Sequence, residues 1–114
     1  MIMIDAAQKT LYHAAAVFAS NYLVTLVDVA MQCYGEAGIA QETALQMIAP
    51  LLRESAENAI RLGPAAALTG PIARGDMATV AFHQHALLQW RPAHAALYVQ
   101  LAEATAALAA SRGT

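Results

Sequence analysis

Residues 10–27 run for eighteen positions without a formal charge, and this stretch limits the fold more than any other feature. So long an uncharged run must be hidden from water, either in a bilayer or among neighbouring helices. Eighteen residues is at the short limit for a spanning helix. The run also holds Thr10, His13, Ser20, Asn21 and Thr25, which are costly in hydrocarbon. The expectation is therefore a buried core helix in an all-α domain, with no membrane as partner.

The rest of the composition agrees. Apolar residues make up 59% of the chain and charged residues 12%, against roughly 45–50% and ~25% in ordinary soluble domains. Alanine is about a quarter of the sequence; it is the best helix former and lets helix axes come close. A chain of 114 residues makes one domain, residues 1–114, with more apolar surface than a small monomer can hide. The surplus must meet another subunit or another domain, and the expectation is a homodimer or a higher even oligomer.

Five helical segments can be placed, and strands are not expected. The first covers residues 5–34, with Asp5 and Gln8 as a capping box and Gly35 and Gly38 as the stop. Projected at 100° per residue, Thr10, Asn21, Asp28 and Gln32 fall on one narrow stripe flanked by His13 and Ser20. The second covers residues 41–62 and contains Pro50, which should kink or split it. Gly63 ends it, and Pro64 opens a short helical turn. Thr69, Gly70 and Pro71 break the chain, and residues 68–76 read as a loop. Asp76 caps the fourth helix, to about Gln89, and Pro92 opens the fifth, which frays at Ser111, Arg112 and Gly113. The fold class expected is a bundle of about five helices.

Several function classes drop out. The net charge is −2 and the six Lys and Arg are scattered, so the chain has no footprint for nucleic acid and no polybasic membrane anchor. The opening Met1-Ile2-Met3-Ile4-Asp5 has no basic region and is not read as a signal peptide. Cys33 is the only cysteine, which excludes an internal disulfide and fits a reducing, cytoplasmic setting; on the apolar side of its helix it reads as packing, not as a nucleophile. The sequence contains neither a Gly-x-Gly-x-x-Gly nor a Gly-x-x-x-x-Gly-Lys-Ser/Thr, so no bound nucleotide cofactor is expected. His83 and His85, two apart on a predicted helix, point to different sides, and His13 and His94 lack acidic or thiol partners at ligand spacing, so no metal is expected either.

Two polar features remain. His13, Ser20 and Asn21 interrupt an apolar helix, and burying them unpaired would cost a few kcal/mol each. They are satisfied by a neighbouring helix or subunit, or else they line a polar pocket. The second feature is the loop. Gly70 and Gly75 expose backbone N–H groups there, Thr69 offers a hydroxyl, and Arg74 a planar donor fork suited to a carboxylate or phosphate. The plainer reading is that the loop turns a corner, Asp76 caps a helix and Arg74 pairs with an acid.

Tyr12-His13-Ala14-Ala15-Ala16-Val17-Phe18-Ala19-Ser20-Asn21 and Ala67-Leu68-Thr69-Gly70-Pro71-Ile72-Ala73-Arg74-Gly75-Asp76 together resemble signature stretches of a helical domain of unknown function in bacterial proteins. Asn58, His83 and Tyr98 are supporting matches, and the likeness extends over residues 5–109. That domain follows a Rossmann-like NAD(P)-binding domain in oxidoreductases, within the superfamily of 6-phosphogluconate dehydrogenase-like C-terminal domains. The resemblance implies a domain that dimerises and closes the substrate cleft over the nicotinamide. In that superfamily a Lys, followed by an Asn one turn later on the first long helix, often touches substrate. His13 stands where such a Lys would be, Val17 one turn on, and Asn21 two turns on.

The resemblance thus implies the substrate-cleft and dimerisation half of an NAD(P)-dependent oxidoreductase, inactive alone, with the N-terminal Rossmann domain as its partner and a small-molecule substrate. His13 and Asn21 are the catalytic candidates; Thr69, Gly70 and Arg74 are the substrate-binding ones. NAD(P) is implied for the full-length family and not for this chain. The alternative is a free-standing helical oligomerisation or ligand-binding module without enzymatic activity.

Overall fold

A computed structural model describes residues 5–112. The run Met1 to Ile4, with the signal-peptide reading made on it, and the ragged end at Gly113 lie outside the described residues. Every described element is helical: α1 (Ala6–Ala16), a π-helical turn (Val17–Asn21), α2 (Tyr22–Glu36), α3 (Gln41–Leu62), α4 (Pro64–Ala67), α5 (Pro71–Arg74), α6 (Met77–Trp90) and α7 (Pro92–Ala110). α1, the π turn and α2 are one continuous helix, so the described residues of this all-α fold hold six helices. The sixth is α5, inside the segment read as a loop.

The chain divides into two compact units, Met1–Pro50 and Leu51–Thr114. In the first, the capping box forms as its sequence dictates. Asp5 Oδ1 accepts from the Gln8 N–H at 2.8 Å, and Gln8 Oε1 accepts from the Asp5 N–H at 2.7 Å. At Tyr22 the backbone N–H donates to the Val17 carbonyl, five residues back, which is the signature of a π turn. One extra residue in the turn rotates everything after it by about 100° relative to what precedes it. The straight polar stripe expected from Thr10 to Gln32 therefore does not run through. A uniform 3.6-residue period cannot foresee an inserted residue.

The expected buried core helix is not found. None of the described residues of α1, the π turn or α2 is buried. Leu11, Tyr12, Phe18 and Val24 are each at least two-thirds exposed, and Tyr22, Leu23 and Leu26 stand open as well. His13, Ser20 and Asn21, expected to need buried partners, are exposed too. The helix from Ala6 to Glu36 is long and apolar enough to cross a membrane, with a mean hydropathy of 1.6 over its most apolar window.

Pro50 does not split its helix. α3 continues from Gln41 to Leu62, with Ala44 and Ile48 buried one turn apart. A proline removes one backbone hydrogen bond, and the turns on either side retain theirs.

The second unit packs on itself. α6 and α7 are joined by the single residue Arg91, in extended conformation at φ −146°, and fold back into a helical hairpin. Val80 on α6 is 2% exposed and Ala95 on α7 is 7% exposed. α5 packs against both helices, and α4 against α7. At the corner the Arg91 guanidinium sits 5.2 Å from the centre of the Trp90 ring, and His94 meets the same ring edge-on.

α5 exists because of the residues at its ends. Gly70 precedes it at φ 96°, ψ −178°, a conformation almost confined to glycine. Pro71, at its first position, is preset for a helix. Gly75 ends it at φ 73°, ψ 20°, the left-handed region. Gly75 N–H donates to the Ile72 carbonyl at 3.1 Å, and Asp76 N–H to the Pro71 carbonyl at 2.8 Å. Asp76 then caps α6 as expected, accepting from the Thr79 N–H at 3.2 Å and from the Thr79 hydroxyl at 2.7 Å.

Candidate functional site

A cavity of about 370 Å³ within the second unit opens along one face of α7. Tyr98, Leu101, Ala102 and Thr105 line it from α7 at helical spacing. Pro71 and Ile72 of α5 close one side, His83 of α6 contributes an edge, and Thr69 stands at the rim. The alanine matters here, because a longer side chain at position 102 would occupy the space.

His83 and Tyr98 are the chemistry of this cleft. His83 Nδ1 lies 2.9 Å from the Tyr98 hydroxyl oxygen, and the rings meet edge-on at 5.8 Å. Burial pushes the Tyr98 phenol above its ordinary value, so at neutral pH it remains an uncharged O–H. The hydrogen bond admits two senses. With the ring proton on Nε2, Tyr98 donates to Nδ1 and its oxygen keeps its acceptor capacity. With the proton on Nδ1, the ring donates to Tyr98, whose O–H is then free to donate elsewhere.

The five candidate residues fall in different places. Thr69 lines the cleft. Gly70 and Arg74 flank it in sequence as the cap and the last residue of α5. Arg74 Nη2 lies 3.9 Å from Asp76 Oδ2, with the Arg74 side chain 63% exposed, so its guanidinium already faces an acid. Asp76 is held below the ordinary aspartate range by the Thr79 hydroxyl, then by the Thr79 N–H, with a smaller contribution from Arg74. His13 and Asn21 belong to the first unit, before the π turn and at its end. π turns recur at functional sites in proteins. Asn21 also accepts, through its backbone carbonyl, from the Thr25 hydroxyl at 3.2 Å.

The His83–Tyr98 pair could not be assembled by reading along the chain. Both residues match the signature pattern singly, but they are fifteen positions apart on different helices. The available signal was the single-residue break at Arg91 before Pro92. A hairpin with its corner there brings together residues at similar distances from Arg91, here eight positions before it and seven after. Arg112, at the frayed end of the sequence, was also unforeseen as a tie. Its Nε donates to the Ala65 carbonyl at 2.6 Å and its Nη2 to the Leu68 carbonyl. The fork thereby satisfies carbonyls of α4 and of its extended C-cap, Leu68.

Other features carry less chemistry. A second depression of about 300 Å³ lies among Ser55, Ala59, Pro64 and Leu68 and shares Thr69 with the cleft. Cys33 is half-buried, and burial raises its thiol above the ordinary value, which disfavours the nucleophilic thiolate. Among the described residues, no group of three His, Cys, Asp or Glu is placed to hold a metal ion. Nor do they include a strand feeding a glycine-rich turn, the cradle a dinucleotide requires.

A family model described as Domain of unknown function (DUF2520) matches residues 1–105. No curated protein matches the chain, and no solved structure does.

Proposed function

The chain belongs to the DUF2520 family, and from that premise we propose that it is the substrate-side and self-associating half of an NAD(P)-dependent oxidoreductase, inactive alone. The observation that carries this reading is the exposed apolar surface of α1 and α2. Seven large side chains, from Leu11 to Leu26, stand open on a helix with no buried residue. Aromatic and aliphatic groups of that size offer several hundred Å², on the scale of the roughly 800 Å² per partner in a stable interface. A second copy of the chain covers such a face, giving a homodimer or a higher even oligomer. In this reading the nucleotide contacts belong to a Rossmann domain; the described residues of this chain include no dinucleotide cradle.

In that division of labour the helical half supplies substrate contacts. His13 and Asn21, beside the π turn, are the catalytic candidates; Thr69, Gly70 and Arg74, around α5, are the substrate-binding ones. A cytoplasmic setting goes with this reading, since the lone cysteine fits a reducing compartment.

Light scattering tests the self-association directly. The expected particle has at least twice the 12.0 kDa mass of the chain. A monomer at micromolar concentration in aqueous buffer overturns the reading, and so does recovery of the chain only with detergent or lipid vesicles. Calorimetry tests the division of labour: NADPH titrated into this chain should release no heat of binding.

The second reading, a free-standing ligand-binding module, is favoured by one observation. The His83–Tyr98 cleft is formed wholly by residues between Thr69 and Thr105 and needs no nucleotide domain to complete it.

A further inference from the structure

We propose that the cleft between α5 and α7 binds a neutral, largely apolar small molecule bearing one carbonyl or the corresponding hydroxyl, with the Tyr98 hydroxyl as its hydrogen-bond partner and His83 setting the sense of that bond. The argument begins with what lines the space. Ile72, Leu101 and Ala102 are apolar, and the polar atoms are the Tyr98 hydroxyl, the His83 ring and two threonine hydroxyls. None of the lining residues is Lys, Arg, Asp or Glu. The charged groups next along the chain, Arg74 and Asp76, face each other. A charged ligand would lose hydration there without gaining a counter-charge. An apolar body loses nothing, and the volume of about 370 Å³ lies at the lower end of ordinary ligand clefts.

The polar end of the ligand follows from the pair. Tyr98 has one bond committed to His83, at 2.9 Å. A ketone or aldehyde oxygen only accepts, so it needs the arrangement in which Nδ1–H donates to Tyr98 and the Tyr98 O–H donates to the ligand. An alcohol both accepts and donates, so either tautomer serves it, and in the second one the Tyr98 oxygen accepts from the ligand. The pair can therefore receive both members of a carbonyl–alcohol couple, the sense of its own hydrogen bond following which His83 nitrogen carries the proton. Burial favours this by keeping Tyr98 protonated. Binding of the couple stands on the cleft alone; its interconversion would rest on the oxidoreductase reading.

The test uses the full chain, without nucleotide, and three probes of one shape: acetophenone, 1-phenylethanol and ethylbenzene. Methyl NMR signals of Ile72, Leu101 and Ala102 report occupancy, and the ring-nitrogen shifts of His83 report its tautomer. The expected result is saturable binding of the ketone and the alcohol, each tighter than the hydrocarbon. Tyr98→Phe weakens both about three- to tenfold, the loss of one hydrogen bond, and leaves ethylbenzene unchanged. The ketone drives His83 to the Nδ1–H form and the alcohol does not. Ala102→Leu, which fills the cleft and leaves the hydrogen-bonding pair in place, abolishes all three. The proposal is overturned if ketone and hydrocarbon bind alike in both proteins, if the bound ketone leaves the His83 proton on Nε2, or if the shifts appear at Ala59 and Ala67 instead. Absence of any dehydrogenase activity in the assembled protein would sink the oxidoreductase reading and leave these binding results as they stand.

Discussion

The long N-terminal helix and the α6–α7 hairpin are built from nearly the same materials, alanine and large aliphatic residues, and they use them in opposite ways. The hairpin turns Val80 and Ala95 inward and pairs His83 with Tyr98 across its two arms. The long helix holds Phe18 and Val24 outward, about two-thirds exposed or more. The difference lies in chain connectivity. A one-residue corner at Arg91 forces α6 and α7 together, whereas α1, the π turn and α2 run as one uninterrupted helix that cannot fold onto itself. Apolar composition creates the demand for burial, and the turn decides whether the same chain can meet it.

The most damaging test of this contrast replaces Phe18 and Val24 together by glutamate. If the long helix is covered by a second copy, the double variant should fall to a 12.0 kDa species in light scattering. The association constant should drop by roughly thirtyfold or more, as for a central interface residue worth ~2 kcal/mol. The hairpin should survive, with the signal of Trp90 unchanged. Retained oligomers would place the interface elsewhere.

Val80→Ala applies the converse test. Removing two methyl groups from a site only 2% exposed should cost about 2 kcal/mol in urea unfolding followed by Trp90 fluorescence. Phe18→Ala, made on an exposed face, should cost much less when measured on the dissociated chain. Equal costs would erase the distinction between the two regions.

Gly70→Ala comes next. No atom lies within 4 Å of the added methyl, so the penalty is purely conformational, about 2 kcal/mol for a side chain forced to φ 96° with extended ψ. Gly75→Ala, in the ordinary left-handed region, should cost nearer ~1 kcal/mol. A reversed order would mean that α5 is not held by its N-terminal glycine.

The smallest effect is on pH. Asp76 is held below its ordinary value in the folded protein, first by the Thr79 hydroxyl. Its cap therefore stabilises the folded state fully above the unfolded-state value, and loses that stabilisation as pH falls through the lower folded value. The stability difference between wild type and Asp76→Asn should shrink on acidification below the usual aspartate range and be constant above it. A difference that grows with acid would contradict the cap.

Much of the fold was legible because its signals are local. Asp5 with Gln8, Gly63 before Pro64, Asp76 and Pro92 each act on backbone groups within a turn or so of themselves, and each element boundary they mark is where the structure has it. The misses have a common origin. The π turn at Val17–Asn21 is an inserted residue within a uniform apolar pattern. α5 is a helix of four residues, too short for any periodicity to show, and only its flanking glycines and Pro71 hinted at it. Of the candidate site, Thr69 was found on local chemistry. His83 and Tyr98 were visible only as isolated matches, and Arg112 only as a scattered charge.

The sequence by itself determined that the chain is helical, where its helices start and stop, and that one of them is too apolar to remain in water. These depend on propensity, capping and periodicity, which act over a few residues. The tertiary structure alone decided which helix hides its apolar face and which does not. It also decided that His83 meets Tyr98 and that Arg112 reaches back to Ala65 and Leu68. Those contacts join residues fifteen to forty-seven positions apart. At such separations, hairpin geometry and packing set the distance between two side chains, and the intervening sequence carries no local signal of it.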